Sequence, residues 1–399
     1  MSPRPPTLRR QWFAALPVEE GHRVTTLELF FDLVYVFAFT QVTAWIAHEH
    51  SWHGTAQGLL VLGLLWWTWV AWSWTGNVVR ADKGVPLLGF ITSMVAIFVI
   101  ALTIRGVWEA DAGELAAVAF ALAYLTLRVV HAGVYLWGAR GDTTLVRQIT
   151  ISAGAWIPAA GLLVVGAFLP PEQRLYWWAG TLAIDLAATW ILAVRGAGWQ
   201  VRSGGHFAER FGLIVILALG ESVVAVGVAA ENIDLSPELI LIAALGVLAA
   251  LALWWPYFKD ISPTLEEAIE EATPARKVDI ARDSYTYMHL PLVAGVIVAA
   301  AGVEEAVSTL YEHDSAGVAA AILAGGAALF SASGAVLMAM AGGQWRFLAA
   351  SALFFASAAF WMQPLHAIAA IAITTAALTV VGIVTPASRT RDPLVVEAA

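Results

Sequence analysis

Apolar runs long enough to cross a lipid bilayer follow one another along almost the whole chain, and this feature limits its possible folds most strongly. About twelve runs of roughly 17–25 residues can be distinguished, and a spanning helix needs about 20 apolar residues. Only 13% of the residues are charged, against about 25% in soluble proteins. Lipid offers the backbone no hydrogen-bond partners, so a spanning segment must be a helix or part of a closed barrel. The runs are too long and continuous for barrel strands, and the sequence therefore predicts an all-α polytopic membrane protein.

The Lys and Arg residues are distributed unevenly between alternate loops. If both termini lie in the cytoplasm, seventeen of the 21 basic residues fall in cytoplasmic segments. Arg105 and Arg174 then fall outside, and Arg128 and Arg210 fall within predicted spans. Because cytoplasmic loops are enriched in Lys and Arg, we expect both termini to be cytoplasmic. The predicted spans are 24–47, 55–77, 85–105, 113–137, 148–168, 175–195, 206–230, 237–257, 280–302, 317–341, 345–361 and 365–384.

Three short segments recur in the same order in the two halves of the chain. Six spans in each half are an even number, so both halves would share one orientation, as in the parallel repeats of some transporters. The sequence therefore predicts about twelve transmembrane helices in two parallel six-helix repeats. The matching segments are 27–30 with 208–211, 66–67 with 254–255, and 85–87 with 290–292.

The repeat sets the expected domain boundaries. The halves would be 24–205 and 206–385, between cytoplasmic tails at 1–23 and 386–399. The longest internal loop, 258–279, is polar enough to form a short helix on the cytoplasmic surface.

Three longer motifs resemble the signatures of the bacterial low temperature requirement protein A family. They are VTTLELFFDLVYVFAFTQV at 24–42, HFAERFGLIVILALGES at 206–222 and YMHLPLVAG at 287–295. The resemblance covers roughly residues 20–385. It implies a multi-pass protein of the bacterial cytoplasmic (inner) membrane that is linked by its family name to growth in the cold. It implies no reaction and no substrate.

Ionisable residues inside spans are costly and therefore indicate functional positions. Glu28 and Asp32 lie four residues apart on one face of the first span, and Tyr35 continues that face. Two carboxylates on one stripe can hold a cation, share a proton or pair with an arginine. The alternative is structural: Glu28 reaches the interface, and Asp32 forms a single buried ion pair.

Arg128, in the fourth span, and Asp185, in the sixth, lie at about the same predicted depth as Asp32. We therefore expect a cluster of Asp32, Arg128 and Asp185. His131 lies one turn from Arg128 on the same face. Such a cluster would act as a gate, a proton relay or a structural clamp.

Further ionisable candidates occur in the second half. In the seventh span, Glu209 and Arg210 lie near the start and Glu221 follows Gly220 deep in the helix. A buried glutamate is a candidate proton or cation site. Near the ninth span, His289 precedes a helix-distorting proline, and Asp283 lies at the membrane interface. These side chains are binding candidates, with a simple helix kink as the alternative for His289.

Tryptophan is concentrated in the second span. Trp67 and Trp74 share one face, as do Trp69 and Trp72. One such face would line an aromatic pocket that holds an organic cation or a lipidic carbocation by cation–π contacts. Lipid-facing bulk is the alternative.

The leading functional hypothesis is a transporter or channel-like protein that is coupled to a proton or another cation through buried carboxylates. An enzyme that acts on a lipid or isoprenoid inside the membrane is the first alternative, and a membrane sensor or assembly factor is the second. The sequence contains no P-loop or dinucleotide fingerprint. We therefore expect no cofactor. We expect no metal, because the His206–Glu209 pair has no second such pair nearby, and no nucleic acid, because there is no basic patch that suits it. The expected partners are the bilayer and a small ion, small molecule or lipidic substrate.

Overall fold

The computed structural model describes residues 23–49, 51–109, 113–195, 199–231, 233–308 and 316–358. Within these ranges the regular elements are helices, and ten of them are long and apolar enough to cross a membrane. The prediction of an all-α polytopic membrane protein is confirmed at this level.

Thirteen α-helices occur in the described ranges, and the first ten predicted spans each coincide with one of them. A 3₁₀ turn at Gly106–Trp108 precedes α4, and two π-helical segments, Tyr257–Ile261 and Ala281–Met288, adjoin α8 and α11. The α-helices are α1 Thr26–Glu49, α2 Trp52–Val78, α3 Gly84–Thr103, α4 Gly113–Gly138, α5 Thr143–Ala167, α6 Pro171–Val194, α7 Gly204–Ala230, α8 Pro237–Pro256, α9 Ser262–Glu270, α10 Pro274–Ile280, α11 His289–Ser308, α12 Ala316–Met340 and α13 Arg346–Ala358.

The polar segment between the eighth and ninth spans is helical rather than an irregular loop. Helix α8 continues through its π-helical segment into α9, so that Pro237–Glu270 forms one helix of 34 residues. At 1.5 Å per residue, this helix is about 50 Å long and exceeds the roughly 30 Å of bilayer hydrocarbon. The helix predicted within 258–279 is present as α9, and its buried Leu265 and Ile269 turn toward the bundle.

Helices α2 and α11 form the centre of the bundle and are the most buried spans. Helix α11 packs against α1, α7 and α12. Its contact with α12 is a backbone-to-backbone contact through glycines, because a Cβ atom added at Gly295, Gly302 or Gly326 would overlap backbone atoms of the partner helix. Small residues permit such close approach of membrane helices.

The outer surface of the bundle is apolar. On α3, large apolar side chains at helical spacing are between 46% and 64% exposed. A continuous stripe of this kind would be unfavourable in water, whereas lipid solvates it. The stripe consists of Leu88, Ile91, Val95, Phe98 and Leu102.

The two ends of the chain complete the comparison with the predicted spans. The eleventh predicted span begins as α13, which the structure describes to Ala358. The twelfth predicted span, 365–384, and both predicted tails, apart from Arg23, lie outside the described residues.

Candidate functional site

A buried ionic cluster joins α1 to α7. Asp32 Oδ1 accepts hydrogen bonds from Arg210 Nη2 and from Trp69 Nε1, both at 2.8 Å. Glu28 Oε1 lies 3.0 Å from Arg210 Nη1 and 3.3 Å from His206 Nε2. The Arg210 guanidinium lies 5.6 Å from the centre of the Trp69 ring. Since Asp32 and Arg210 are completely shielded from solvent, the cluster ties the two helices together electrostatically.

The local backbone sets the geometry around Glu28. The Thr25 amide and hydroxyl both donate to Glu28 Oε2 at 2.9 Å, which fixes the carboxylate at the start of α1. Gly76 of α2 leaves room for it, because a Cβ atom there would lie 2.6 Å from Glu28 Oε1. Glu28 and Asp32 thus face one guanidinium, and the His206 ring lies beside Glu28 on the α7 side.

A second ion pair lies between α4 and α6. Arg128 Nη2 donates to Asp185 Oδ1 at 3.1 Å, and the Tyr124 hydroxyl donates to Asp185 Oδ2 at 3.4 Å. The Arg128 guanidinium lies 5.6 Å from the centre of the Trp156 ring. The expected cluster of Asp32, Arg128 and Asp185 is therefore wrong for Asp32. Arg128 pairs with Asp185, but Asp32 pairs with Arg210, because α7 rather than α4 faces that part of α1.

His131 is bonded to α2. Its Nε2 atom lies 2.9 Å from the Thr75 hydroxyl and 3.0 Å from the Ala71 carbonyl oxygen. The ring also contacts Trp72 edge-on, with 5.5 Å between ring centres. His131 therefore joins α4 to α2 beside the Arg128 ion pair.

An aromatic chamber opens beside Arg128, with walls from α2, α4, α5, α6 and the segment that leads into α11. Its empty space is about 860 Å³, counting its open mouth. In the described part of the chain, its charged lining side chains are Arg128 and Arg282. Six large aromatic side chains contribute to the wall: Trp67, Trp74, Tyr135, Trp156, Trp199 and Tyr287.

The predicted tryptophan face is divided between the chamber and the core. Trp67 and Trp74 line the chamber. Trp69 and Trp72 do not, because Trp69 bonds Asp32 and Trp72 packs on Phe90, with 4.5 Å between ring centres. They were expected in an aromatic pocket, and that expectation is wrong for them, because their face of α2 points to α1 and α3.

Two chamber residues, Trp156 and Trp199, have no strong signal in the sequence. Trp156 is an isolated aromatic in α5, and Trp199 lies in the connection between α6 and α7. Trp199 packs on Trp74 with 4.9 Å between ring centres. Trp156 lies away from the membrane interface, where aromatic belts are expected. Both residues are distant in the sequence from the tryptophans of α2, so no sequence pattern groups them with Trp67 and Trp74.

The chamber wall also joins the two halves of the chain. The Trp66 indole donates to the Thr286 carbonyl at 2.9 Å, and the Trp74 indole donates to the Thr286 hydroxyl at 3.0 Å. The Tyr287 hydroxyl donates to the Leu186 carbonyl at 2.7 Å. Thr286 and Tyr287 belong to the π-helical segment before α11. Segments of this kind are frequent at functional sites.

The chamber occupies one half of the membrane thickness. Its deepest lining residues are Trp67 and Trp156, which lie within a few residues of the midpoints of α2 and α5. At the other end it reaches Trp199, in the connection between α6 and α7, and Val278, near the start of the continuous helix Pro274–Ser308. The chamber therefore runs from the side with basic loops to about mid-depth.

Glu221 lies in the opposite half of the bundle. Its Oε2 atom accepts a hydrogen bond of 2.6 Å from the Thr40 hydroxyl of α1. Its side chain is buried, and within the described residues no Lys or Arg lies within ion-pair distance of it. Glu304 of α11 is close enough to act on it electrostatically. Glu221 is thus a buried acid held by a neutral partner.

The other predicted site residues lie apart from the chamber wall. The Tyr35 hydroxyl shares a hydrogen bond of 2.9 Å with Thr68 inside the core. Glu209 is exposed and accepts from the Val24 amide at 3.1 Å. Asp283 is half-exposed and bonds the Arg282 guanidinium, which it shares with Asp279.

His289 is fully bonded within the protein. Its Nδ1 atom lies 2.9 Å from the Ser284 carbonyl oxygen, and its Nε2 atom lies 3.0 Å from the Tyr257 hydroxyl. Its ring stacks on Tyr285 at 5.2 Å between centres. His289 therefore connects the two π-helical segments.

A separate surface groove lies between the start of α7 and α9. Its charged lining comprises Arg23, Glu209, Glu266, Glu270 and Lys277, beside the buried ring of His206. In the described part of the chain, no group of three or more His, Asp and Glu side chains is arranged to hold a metal ion.

Comparison with known proteins places this architecture in a family. The family model for the bacterial low temperature requirement A protein (LtrA) matches residues 23–385. The chain belongs to the LtrA family. This LtrA family member is 27% identical over 319 residues to an uncharacterized protein of Rhizobium meliloti (strain 1021), a match that covers 76% of this chain and 74% of the relative. No solved structure matches the chain significantly. The membership agrees with a multi-pass membrane protein, and the two ion pairs and the chamber lie inside the matched region.

Proposed function

We propose that this LtrA family member is a membrane transporter for small organic solutes and that the aromatic chamber is its solute-binding site. The observation that carries the proposal is the composition of the chamber wall. Residues from both halves of the chain form it, and its lining ends near mid-depth. A site at the interface of two halves and near the bilayer midplane is the arrangement that alternating access requires.

The pattern of helix neighbours supports the two-repeat architecture that we propose. In the first half, the first helix packs on the second and third, the third on the fourth, and the fourth on the fifth. In the second half, α7 packs on α8 and α11, α11 on α12, and α12 on α13. The same order of neighbours is expected of a parallel duplication. With 365–384 as the last span, this arrangement has twelve spans and both termini on the side with basic loops, which is the cytoplasmic side of the inner membrane.

The buried acids have different roles in this proposal. Glu28 and Asp32 are held by Arg210 and clamp α1 to α7. Glu221 is the coupling site for a proton or another cation, because its only hydrogen-bond partner within the described residues is the neutral Thr40. Since no Lys or Arg of the described residues is paired with it, the carboxyl group can exchange a cation without breaking an ion pair.

Apolar side chains fill the region between the Asp32–Arg210 ion pair and Glu221. Arg210 and Glu221 are eleven residues apart on α7, which corresponds to about 16 Å. Buried apolar side chains of α7 occupy this interval: Phe211, Ile214, Val215, Ala218 and Leu219. We interpret the described state as open toward the basic loops and closed toward the opposite side.

Cysteine accessibility tests the proposal, because the chain contains no natural cysteine. Ala132→Cys and Ala193→Cys place a thiol in the chamber, and Ala218→Cys is the buried control. We expect a membrane-impermeant maleimide to label both chamber positions from the basic-loop side, and from the opposite side in a fraction of molecules that increases with solute. Labelling from one side only under all conditions would contradict alternating access.

Transport itself is measured in proteoliposomes that contain a pH-sensitive dye. A panel of neutral, cationic and anionic organic solutes is added outside, and proton movement and solute uptake are recorded together. We expect Glu221→Gln to abolish proton movement while solute binding to detergent-solubilised protein persists. Solute uptake by wild type without any change in internal pH would exclude proton coupling through Glu221, and no uptake of any solute would contradict transport.

The chamber does not support the alternative hypothesis of an intramembrane enzyme. An acid-catalysed reaction on a lipid or isoprenoid needs a carboxylic acid beside the apolar substrate. Among the described residues the lining contains no Asp or Glu, and Asp185, which pairs with Arg128, is not part of it. A transporter therefore accounts better for the arrangement.

A further inference from the structure

We propose that the aromatic chamber selects small organic anions, specifically carboxylates with an apolar or aromatic body, and that Arg128 binds the carboxylate. This inference rests on the proposed solute-binding role of the chamber and names its ligand class. It replaces the organic cation that an aromatic pocket alone would suggest.

The charge of the chamber wall is the first argument. Its charged lining side chains, Arg128 and Arg282, are both cationic. Their partners, Asp185 and Asp283, bond them but are not part of the lining. An entering ligand therefore meets N–H donors rather than carboxylate oxygens. A cation-binding aromatic cage would have the opposite arrangement, because an arginine on the wall repels an ammonium group.

The geometry of Arg128 is the second argument. Arg128 Nη2 donates a hydrogen bond to Asp185 at 3.1 Å, and the guanidinium also interacts with the Tyr124 hydroxyl. The side chain is about 10% exposed, and it lines the chamber. The Trp156 ring lies against the guanidinium at 5.6 Å and holds its plane in position. An arginine carries five N–H donors, so Arg128 retains donors for a carboxylate while it remains paired with Asp185.

The charge around the mouth is the third argument. The connections at 79–83, 139–147 and 195–203 and the segment 274–283, which supplies Val278 and Arg282 to the lining, contain nine basic and four acidic residues, a formal net charge of +5. The basic residues are Arg80, Lys83, Arg140, Arg147, Arg195, Arg202, Arg276, Lys277 and Arg282, and the acidic residues are Asp82, Asp142, Asp279 and Asp283. A positive rim around a low-dielectric opening raises the local concentration of anions and repels cations.

The aromatic wall of the chamber defines the body of the ligand. Trp67 and Tyr287 lie 5.8 Å apart by ring centres and form one apolar wall. A ligand with one aromatic ring and a short chain would place its ring against this wall and its carboxylate on Arg128. Gln148 and Ser152 offer further polar contacts.

Binding is tested with three probes that share one body. 4-Phenylbutyrate, 4-phenyl-1-butanol and 4-phenylbutylamine share a phenyl ring and a four-carbon chain, and their head groups are anionic, neutral and cationic, respectively, at pH 7.5. Equilibrium binding to purified full-length protein in detergent is measured by calorimetry. We expect the carboxylate to bind at least about 10-fold more tightly than the alcohol, because a charge-assisted hydrogen bond contributes roughly that factor. We expect the amine to bind more weakly than either.

Variants of the ion pair separate ligand recognition from folding. Arg128→Gln should reduce phenylbutyrate affinity about 10-fold or more. Asp185→Asn should increase it about 5-fold or more, because Arg128 loses its internal anion and gains donors for the ligand. A purely structural ion pair would not produce this increase. Arg346→Gln is the control, since Arg346 is exposed at the start of α13 and belongs neither to the chamber lining nor to its positive rim.

The outcomes are distinct. Equal affinity for the carboxylate and the alcohol, tightest binding of the amine, or no binding of phenylbutyrate at millimolar concentration would each overturn the anion assignment. An Asp185→Asn protein that folds and binds phenylbutyrate more weakly than wild type would also overturn it. Selective binding without uptake into proteoliposomes would leave the anion site intact and contradict the proposed transport. Uptake of neutral or cationic solutes without anion selectivity would support transport and contradict the anion site.

Discussion

The ion pair between Asp32 and Arg210 makes a quantitative prediction about stability. Asp32→Asn leaves the Arg210 guanidinium with Glu28 alone, and Arg210→Gln leaves two buried carboxylates without their guanidinium. Breaking a buried pair by removing one partner costs about 3–5 kcal/mol. Because Asp32 and Arg210 are completely buried and 2.8 Å apart, we expect each single substitution to lower the free energy of unfolding by a value in that range.

The double-mutant cycle isolates the interaction between the two side chains. Residues in direct contact show coupling energies of about 0.5–3 kcal/mol, whereas distant residues are additive within about 0.5 kcal/mol. We expect a coupling energy of about 1–3 kcal/mol for Asp32→Asn with Arg210→Gln. The matched control is Asp32→Asn with Arg128→Gln. Arg128 is also buried and paired, but its partner is Asp185, so this second cycle should be additive.

The measurement is reversible unfolding in mixed detergent micelles, followed by helical circular dichroism and by tryptophan fluorescence. The 19 tryptophans supply a strong fluorescence signal, and Trp69 reports directly because its indole bonds Asp32. A larger coupling energy for Asp32 with Arg128 than for Asp32 with Arg210 would refute the helix arrangement described above. Additivity in both cycles would show that the short distance does not reflect an energetic interaction.

Two further predictions concern the helix contact and a helix cap. Gly326→Ala should destabilise the protein by about 1–3 kcal/mol, because the new methyl group would overlap the Ala299 backbone. The neighbouring Gly325→Ala should change stability by less than about 1 kcal/mol, since no atom lies within 4 Å of its added Cβ; equal effects in thermal unfolding would contradict the close contact between α11 and α12. Asp142 caps α5 outside the spans, and hydrogen bonds, chiefly from the Leu145 amide, hold the pKa of its carboxyl group below the ordinary value of 3.8. A lowered folded-state pKa gives stability that is present above the ordinary pKa and is lost as pH falls through the folded-state pKa. Protection of the Leu145 amide from hydrogen exchange should therefore decrease with acid. Asp142→Asn should remove this pH dependence, and an unchanged dependence would exclude the cap as its origin.

The placement of the first ten spans could be predicted from the amino-acid sequence alone. The length of an apolar run is a local property, because the thickness of the bilayer sets the length that a span requires. The distribution of Lys and Arg likewise predicts orientation without any knowledge of packing. The family signatures at 24–42, 206–222 and 287–295 identify the same architecture independently.

The partners of the buried charges required the tertiary structure. Asp32, Arg128 and Asp185 have matching depths, and depth follows from position along a helix. Contact depends also on which helices are neighbours and how each is rotated about its axis. These helices are apolar on nearly all sides, because lipid and protein interior accept the same residues. The sequence therefore carries little information about which face meets Arg128 and which meets Arg210.

The chamber shows the same limit. Trp67 and Trp74 were identifiable as one face of a helix because they lie seven residues apart. Trp156 and Trp199 join them only because α5 and the connection after α6 pack beside α2. Local hydrophobicity and charge thus decide that a segment crosses the membrane, whereas the arrangement of helices around α2 and α11 decides which side chains share a cavity. The physical reason is that insertion depends on each segment's own transfer free energy, while a binding site depends on contacts between segments that are distant in the chain.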